Sequence, residues 1–293
     1  MSYRFLFFSV VLLVVHGRDW DKIDHKKYCI EGHLDNTPCV TECKIGPNCS
    51  DLISGYVELS MHEKQFLLNL HNKLREEIAR GDYLEWNFPP ATNIYALNYD
   101  DECEYMTACW IRQCNFWHDV HYKVDGSKFG QNLHNRWTTG QLGVIDNSWL
   151  ERGIMNWFNE YKLLKGHPDI HKSFYPVTKT GHFTALIWHE TQFMGCAKLT
   201  FRRDGREWFY LYCNYYPNGN WLDSPIYKTS PFNCQRSKKY PHLCGEVKDL
   251  IAETGDLQLH EDGDYHDPDA ENGSSHKIPY EIFVFLNFLI VFW

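Results

Sequence analysis

Histidines and carboxylates are the side chains of this chain that could bind a metal ion or transfer a proton. The segments HEKQF, at residues 62–66, and HETQF, at residues 189–193, each lack the second histidine of an H-E-x-x-H zinc site. No G-x-S-x-G segment occurs, so the sequence does not support a nucleophile elbow. His118 and His182 remain as candidate metal ligands, and a hydrogen-bonded structural role is the alternative for each of them.

Glu160 and Gln131 are the other polar residues that could serve such a site. Glu160 lies about 60° around a predicted helix from Trp157, at the edge of an apolar stripe, where a solvated glutamate would also sit. A metal held by the two histidines with Glu160 as base has only two nitrogen ligands, whereas catalytic zinc usually has three protein ligands. Gln131 is interpreted as a hydrogen-bonding residue of a loop. The sequence therefore favours binding over catalysis.

Three helices are predicted to position these residues. Ser60 and Glu63 form a capping box, and Gly81 ends the helix that they begin, over about residues 60–80. Residues 100–114 also have helical spacing. Ser148 and Glu151 predict a second capping box before an apolar stripe. That stripe consists of Leu150, Ile154, Trp157, Tyr161 and Leu164.

Strands are predicted after the helices, which gives a layered α/β arrangement. HFTALIW, at residues 182–188, and WFYLYCNYY, at 208–216, are apolar on both faces, and CAKLTFRR, at 196–203, alternates as if one face were exposed. Asp204 and Gly205 predict a two-residue hairpin turn. This turn places Cys196 opposite Cys213 at about 4.5 Å between Cα atoms, within reach of a disulfide.

Processing signals are predicted at the N-terminus. Arg4 precedes the largely apolar residues 5–15, and small residues follow up to Gly17, which predicts a signal peptide over residues 1–17. Residues 18–55 form a cysteine-rich N-terminal extension. Eleven cysteines in a secreted chain indicate a disulfide framework with one thiol left over. Cys234 and Cys244 are expected to close a small cysteine loop within residues 224–245.

An acidic linker and a hydrophobic tail are predicted at the C-terminus. Ten acidic residues and one lysine lie within residues 246–271, which accounts for the formal charge of −9, so residues 246–275 are predicted to be a solvated linker. No basic patch indicates nucleic-acid binding. In the tail, residues 276–293, a short spacer precedes 12 largely apolar residues, too few to span a bilayer as a helix. A cleaved signal for a C-terminal lipid anchor and an uncleaved apolar tail are the two interpretations.

Several ordered motifs resemble the CAP superfamily, and most of all its antigen 5 branch of insect venom allergens. They are HNKLREEIARG at 71–81, PPATNIYALNYDDE at 89–102, CNFWHD at 114–119, GQNL at 130–133, WFNE at 157–160, GHFTALIW at 181–188 and YLYCNYYPNGNW at 210–221. The resemblance covers about residues 28–222 and places a CAP domain at residues 56–223. It implies an α-β-α sandwich that follows the cysteine-rich N-terminal extension.

The resemblance also implies a cavity and a set of disulfides. By resemblance the cavity is lined by His118, Gln131, Glu160 and His182, of which the two histidines are the expected ligands of zinc or another divalent ion. Gln131 stands where many relatives carry glutamate, and an amide cannot act as a carboxylate base. The implied disulfides are Cys49–Cys114, Cys196–Cys213 and Cys29 with either Cys39 or Cys43. A further family disulfide is missing, because His121 stands at one of its cysteine positions and the partner cysteine after Cys29 is also absent.

A secreted, disulfide-stabilised binding protein is the function that these features predict. The resemblance implies an extracellular protein partner or a small apolar ligand, such as a lipid or sterol, held in an apolar groove. A metal-dependent hydrolase that uses Glu160 as its base is the alternative.

Overall fold

The computed structural model describes residues 23–49, 51–53, 59–119 and 121–251. The chain divides after Ile251 into two units, and the described residues lie in the first. The predicted signal peptide, the hydrophobic tail and the acidic linker beyond Ile251 lie outside these ranges. Within them, every helix is too short or too polar to cross a membrane.

A five-stranded sheet forms the centre of the fold. Its strands are β1 (Asp51–Leu52), β2 (Asn98–Tyr99), β3 (Gly130–Thr138), β4 (Phe193–Arg203) and β5 (Arg206–Tyr216). The order is β1-β4-β5-β3 with antiparallel neighbours, and β2 pairs with β4 in parallel. The predicted hairpin register is confirmed, with Cys196 opposite Cys213. Asp204 and Gly205 have φ values of 55° and 69°, the left-handed conformation that a type I′ turn requires.

Helices cover both faces of this sheet and complete an α-β-α sandwich. They are α1 (Thr37–Thr41), α2 (Met61–Arg80), α3 (Asp101–Ile111), α4 (Asn147–Phe158) and α5 (Gly181–Leu186). Met106 of α3 packs on one face with Leu199 and Tyr212. On the other face, His71 of α2 bonds to the Tyr215 hydroxyl at 2.9 Å, and α5 contacts β3.

The three predicted helices are present as α2, α3 and α4, and two details of them are wrong. The capping box of α2 is present, with Ser60 Oγ accepting from the Glu63 N–H at 3.2 Å. The helix predicted over residues 100–114 ends at Ile111, because Cys114 has a φ of 51°. The second capping box is wrong. Asp146 caps α4 instead, because its carboxylate accepts from the Ser148 N–H at 3.0 Å and already supplies the acceptor there.

Two strand predictions also need correction. Residues 181–186 form helix α5 rather than a strand, because a short apolar run does not distinguish a buried strand from a buried helix. Strand β4 has no exposed face over residues 194–201. Lys198 is buried there because its ammonium pairs with the Glu63 carboxylate, and the Thr200 hydroxyl donates to the carbonyl of Ile53 at 3.1 Å.

Five disulfides join ten of the eleven cysteines and leave Cys103 as a buried thiol. They are Cys29–Cys39, Cys43–Cys109, Cys49–Cys114, Cys196–Cys213 and Cys234–Cys244. Two of them tie the N-terminal extension to α3 and the turn that follows it. The buried Asn36 joins the N-terminal extension to the loop that contains Tyr122. Its amide donates to the carbonyls of Tyr28 and Tyr122 at 3.1 and 3.0 Å and accepts from the Tyr122 N–H at 3.0 Å.

Candidate functional site

The four residues of the implied cavity come from four segments around the edge strand β3. His118 lies in the loop after α3, which the Cys49–Cys114 disulfide holds in place. Gln131 is the second residue of β3. Glu160 lies in the 3-10 turn Asn159–Leu164, directly after α4. His182 is the second residue of α5, and not of a strand.

Glu160 caps helix α5 and fixes the His182 ring. Its Oε2 accepts from the backbone N–H groups of His182 and Phe183 at 3.0 and 3.1 Å. Its Oε1 lies 2.7 Å from His182 Nδ1, and a carboxylate oxygen can only accept, so this nitrogen carries a proton. Both oxygens of Glu160 are therefore committed to donors of α5.

Gln131 holds His118 in the same tautomer. The Asp119 N–H must donate, so the Gln131 atom that lies 3.2 Å from it is the carbonyl oxygen Oε1. The same oxygen lies 3.3 Å from His118 Nδ1, which must then carry a proton. The Gln131 amide nitrogen in turn donates to Asn214 at 3.0 Å. The backbone N–H of Asp119 can only donate, and this fixes which atom of the Gln131 amide is the oxygen.

In the neutral form of each ring, the lone pair therefore lies on Nε2. A histidine that donates its other ring N–H to a carboxylate or carbonyl oxygen has the arrangement found around protein-bound metals. Desolvation of the His118 ring, together with the nearby His182, lowers the pKa of His118 even though the residue reaches the surface. His118 is therefore neutral at neutral pH, the state that metal binding requires.

Two further contacts hold His182 in place, one to its ring and one to its backbone. The Trp157 ring of α4 stacks on it with 6.0 Å between centroids and 22° between planes. Asn132 of β3 donates to the carbonyl of His182 at 3.0 Å. The side chain is one third exposed, with a relative accessibility of 33%. A rigid ring with a solvent-accessible edge can take a ligand without rearranging.

Sequence reasoning missed His134, which lies near the same cavity. Burial, followed by the neighbouring His182, lowers the pKa of His134 to about 4. Alternation along β3 places it on the same face as Asn132, so the strand period was the signal that could have found it. His134 packs against Gly153 of α4, where an added Cβ would lie 3.2 Å from the His134 ring.

A metal ion would find two protein ligands here. The oxygens of Glu160 and Gln131 are taken by N–H donors, which leaves the Nε2 atoms of His118 and His182. Across the described residues, no group of three or more His, Cys, Asp or Glu side chains is arranged to hold a metal ion. Two histidine ligands, with water completing the shell, would hold a divalent ion only weakly, and they do not make a three-ligand catalytic zinc site.

Gln131→Glu is expected to raise the pKa of His118 by at least about one unit, because a carboxylate would face the Nδ1–H in place of a neutral amide. NMR titration of the His118 ring measures this pKa. Gln141→Glu is the matched control, since it adds the same charge at an exposed loop residue. An unchanged pKa in Gln131→Glu, or an equal rise in both variants, would show that Gln131 does not contact His118.

Comparison with known proteins connects this arrangement to a family. The family described as CAP, cysteine-rich secretory protein family, matches residues 68–215. Venom allergen 5 of Vespula vidua is 33% identical over 205 residues, which cover 68% of this chain and 95% of that protein. Salivary antigen-5 of Triatoma infestans is 33% identical over 210 residues, which cover 65% of this chain and 84% of that protein.

Two solved structures share the fold. BmVAL-1 is 24% identical with a TM-score of 0.55, over 65% of this chain and 96% of that one. NaASP2, whose crystal structure was determined with Zn²⁺, is 24% identical with a TM-score of 0.52, over 64% of this chain and 97% of that one.

Proposed function

The chain belongs to the CAP family of cysteine-rich secretory proteins, with venom allergen 5 and antigen-5 proteins among its relatives, and from this premise we propose that it is an extracellular binding protein. Its histidine cavity would take one divalent ion, and zinc is one of the ions that imidazole ligands suit. Zinc supplies a fixed positive charge that can hold an anionic or carbonyl group of a bound molecule. His118 and His182 would hold the ion through Nε2.

The paired Nδ1–H contacts are the observation that carries this proposal. Glu160 and Gln131 each accept the Nδ1–H of one histidine, so each neutral ring has its lone pair on Nε2. In NaASP2 the fold was crystallised with Zn²⁺, which supports a metal role for the same fold.

A metal-dependent hydrolase with Glu160 as base is the less well supported alternative. Glu160 accepts three hydrogen bonds from α5. A general base must have a carboxylate oxygen free to accept a proton from water, so these bonds disfavour that role. Turnover that the zinc-loaded protein shows and that Glu160→Gln abolishes would favour the hydrolase.

An extracellular location is supported by the disulfides and by the relatives. Five disulfides are typical of proteins that fold in an oxidising compartment. Two relatives are named as a venom allergen and a salivary antigen. The proposed partners are an extracellular protein or a small apolar ligand, a lipid or sterol, and attachment to the cell surface through a C-terminal lipid anchor belongs to the same proposal.

Zinc calorimetry tests the metal cavity. We expect weak, reversible binding at pH 7.5 that is lost on acidification, because a protonated imidazole cannot bind the ion. The double variant His118→Ala with His182→Ala should show no binding and keep its fold. His62→Ala with His167→Ala removes two histidines outside the cavity and should bind like the parent protein. Equal zinc binding by the two double variants would contradict the proposal.

A further inference from the structure

A sequon for N-linked glycosylation lies in the N-terminal extension, away from the histidine cavity. Asn48, Cys49 and Ser50 have the N-x-S spacing that marks an asparagine for glycan transfer in secreted proteins. Asn48 and Cys49 lie within the described residues, and Ser50 lies outside them. Because the middle residue is a cysteine, the disulfide that it forms, and the time at which it forms, decide whether the asparagine can be modified.

Asn48 occupies the exposed tip of a turn whose base is fixed. The Cys49 N–H donates to the Gly46 carbonyl at 3.0 Å, which closes a turn with Pro47 and Asn48 at its centre. Gly46 and Cys49 are buried, whereas Pro47 and Asn48 are exposed. The Gly46 N–H donates to the carbonyl of Arg112 at 2.9 Å and so holds the turn on the protein. A glycan on Asn48 would therefore extend into solvent without disturbing the fold.

The acceptor nitrogen of Asn48 can be modified without losing its structural contact. Asn48 Nδ2 donates to Asn115 Oδ1 at 2.8 Å, and a side-chain amide nitrogen carries two protons. In transfer from a lipid-diphosphate-linked oligosaccharide, Nδ2 bonds to C1 of the first sugar, the bond between C1 and the diphosphate oxygen breaks, and one Nδ2 proton leaves. The second proton remains on Nδ2 to donate to Asn115.

The disulfide of Cys49 is the feature that could block this transfer, because a bridged cysteine holds the sequon in its folded turn. Cys49 pairs with Cys114, which lies 65 residues further along the chain. Synthesis adds about 5–20 residues per second, so Cys114 is made about 3–13 s after Cys49. Disulfide formation then takes seconds to hours. Asn48 is thus available for modification before the partner of its neighbouring cysteine exists.

The native pairing gives Cys49 no partner among the cysteines that precede it. Cys29 pairs with Cys39, and Cys43 pairs with Cys109, which is also made later than the sequon. The sequon is therefore unbridged in a chain that pairs its cysteines natively during synthesis.

We propose that Asn48 is an N-glycosylation site that is modified before the Cys49–Cys114 disulfide forms. The inference rests on the proposed extracellular location, since only a chain that enters the secretory pathway meets the transferase. In the folded protein the glycan stands beside the loop that leads from α3 to His118, because Asn48 contacts Asn115 of that loop.

Site mapping of the full chain secreted from insect cells tests the proposal. Peptide N-glycosidase in heavy-oxygen water converts a glycosylated asparagine to labelled aspartate, and the labelled residue should be Asn48. Asn48→Gln should lose the glycan mass and keep the fold, because the exposed glutamine retains an amide. Ser50→Ala should also lose the glycan, and Ser50→Thr is the matched control that should keep it, since threonine preserves the sequon. A label only at Asn272, in the second sequon of the chain, would contradict the proposal.

Cys114→Ala tests the order of events. This variant removes the partner of Cys49 and leaves the sequon intact. Occupancy of Asn48, measured on the chains of cells and medium together so that misfolded chains are counted, should equal that of the parent protein. Higher occupancy in Cys114→Ala would show that the disulfide competes with glycan transfer and would overturn the proposed order.

Two negative results are distinguishable. A chain that is secreted with its disulfides formed and with Asn48 unmodified would overturn the glycosylation site and leave the extracellular location standing. A chain that stays in the cytosol would contradict the extracellular location, and the glycan with it.

Discussion

Arg75→Met is expected to lower the free energy of unfolding by about 3 kcal/mol or more. Arg75 lies on α2 with no solvent exposure. Its guanidinium donates to the carbonyls of Tyr95 at 2.6 Å, Leu186 at 2.7 Å and Thr191 at 3.0 Å. Burial lowers the pKa of Arg75 to about 9, so it remains protonated at neutral pH. Methionine leaves three buried carbonyls without a donor, and each costs about 1–3 kcal/mol.

Chemical denaturation with the disulfides intact measures this loss. Arg80→Met is the control on the same helix, because Arg80 is half exposed and pairs with Asp82 at the surface. Such a pair contributes about 0–1 kcal/mol. Arg75→Lys should restore little of the loss, since one ammonium cannot reproduce the planar set of donors. A cost below about 1 kcal/mol for Arg75→Met would show that the guanidinium does not join α2 to α5 and to the segment before β4.

Acidification from pH 6.5 to about 4 is expected to destabilise the protein, with up to about 3 kcal/mol of the loss arising at His71. His71 is fully buried, with Nδ1 donating to the Leu67 carbonyl at 2.7 Å and Nε2 accepting from the Tyr215 hydroxyl at 2.9 Å. Burial lowers its pKa from 6.5 to about 4. Between these pH values the unfolded chain binds a proton that the folded chain does not, so stability falls as the pH falls.

Unfolding free energies at several pH values between 7 and 4 test this expectation. His71→Gln should reduce the slope, and His134, whose pKa is also lowered to about 4, should account for part of what is left. His62→Gln, at an exposed residue of α2, should leave the slope unchanged. An equal slope in the parent protein and His71→Gln would mean that His71 is protonated in the folded state.

Local signals accounted for the helices and strands that could be predicted. Ser60, Glu63 and Gly81 begin and end α2, and all three lie in its own stretch of the sequence, so its bounds could be predicted from local residues. The turn Asp204-Gly205 fixes the register of β4 and β5 because a two-residue hairpin has one way to pair its strands. The pairing of Cys196 with Cys213 follows from that register alone.

Helix α5 and the state of Glu160 could not be predicted in the same way. The carboxylate that caps α5 comes from 22 residues earlier in the chain, and no local pattern connects Glu160 to residues 182 and 183. The disulfide between Cys43 and Cys109 could not be predicted for the same reason, because 66 residues separate the two cysteines. The resemblance implied the cavity residues, but the tautomers of its histidines depend on contacts that only the folded chain contains.

Anomalous diffraction at the zinc edge, from crystals soaked in zinc, tests the metal cavity most directly. The account predicts one peak about 2.0–2.1 Å from Nε2 of both His118 and His182, completed by water, with Glu160 still bonded to α5. A peak on Glu160, on an Nδ1 atom or only outside the cavity would contradict it, as would the absence of any peak at neutral pH.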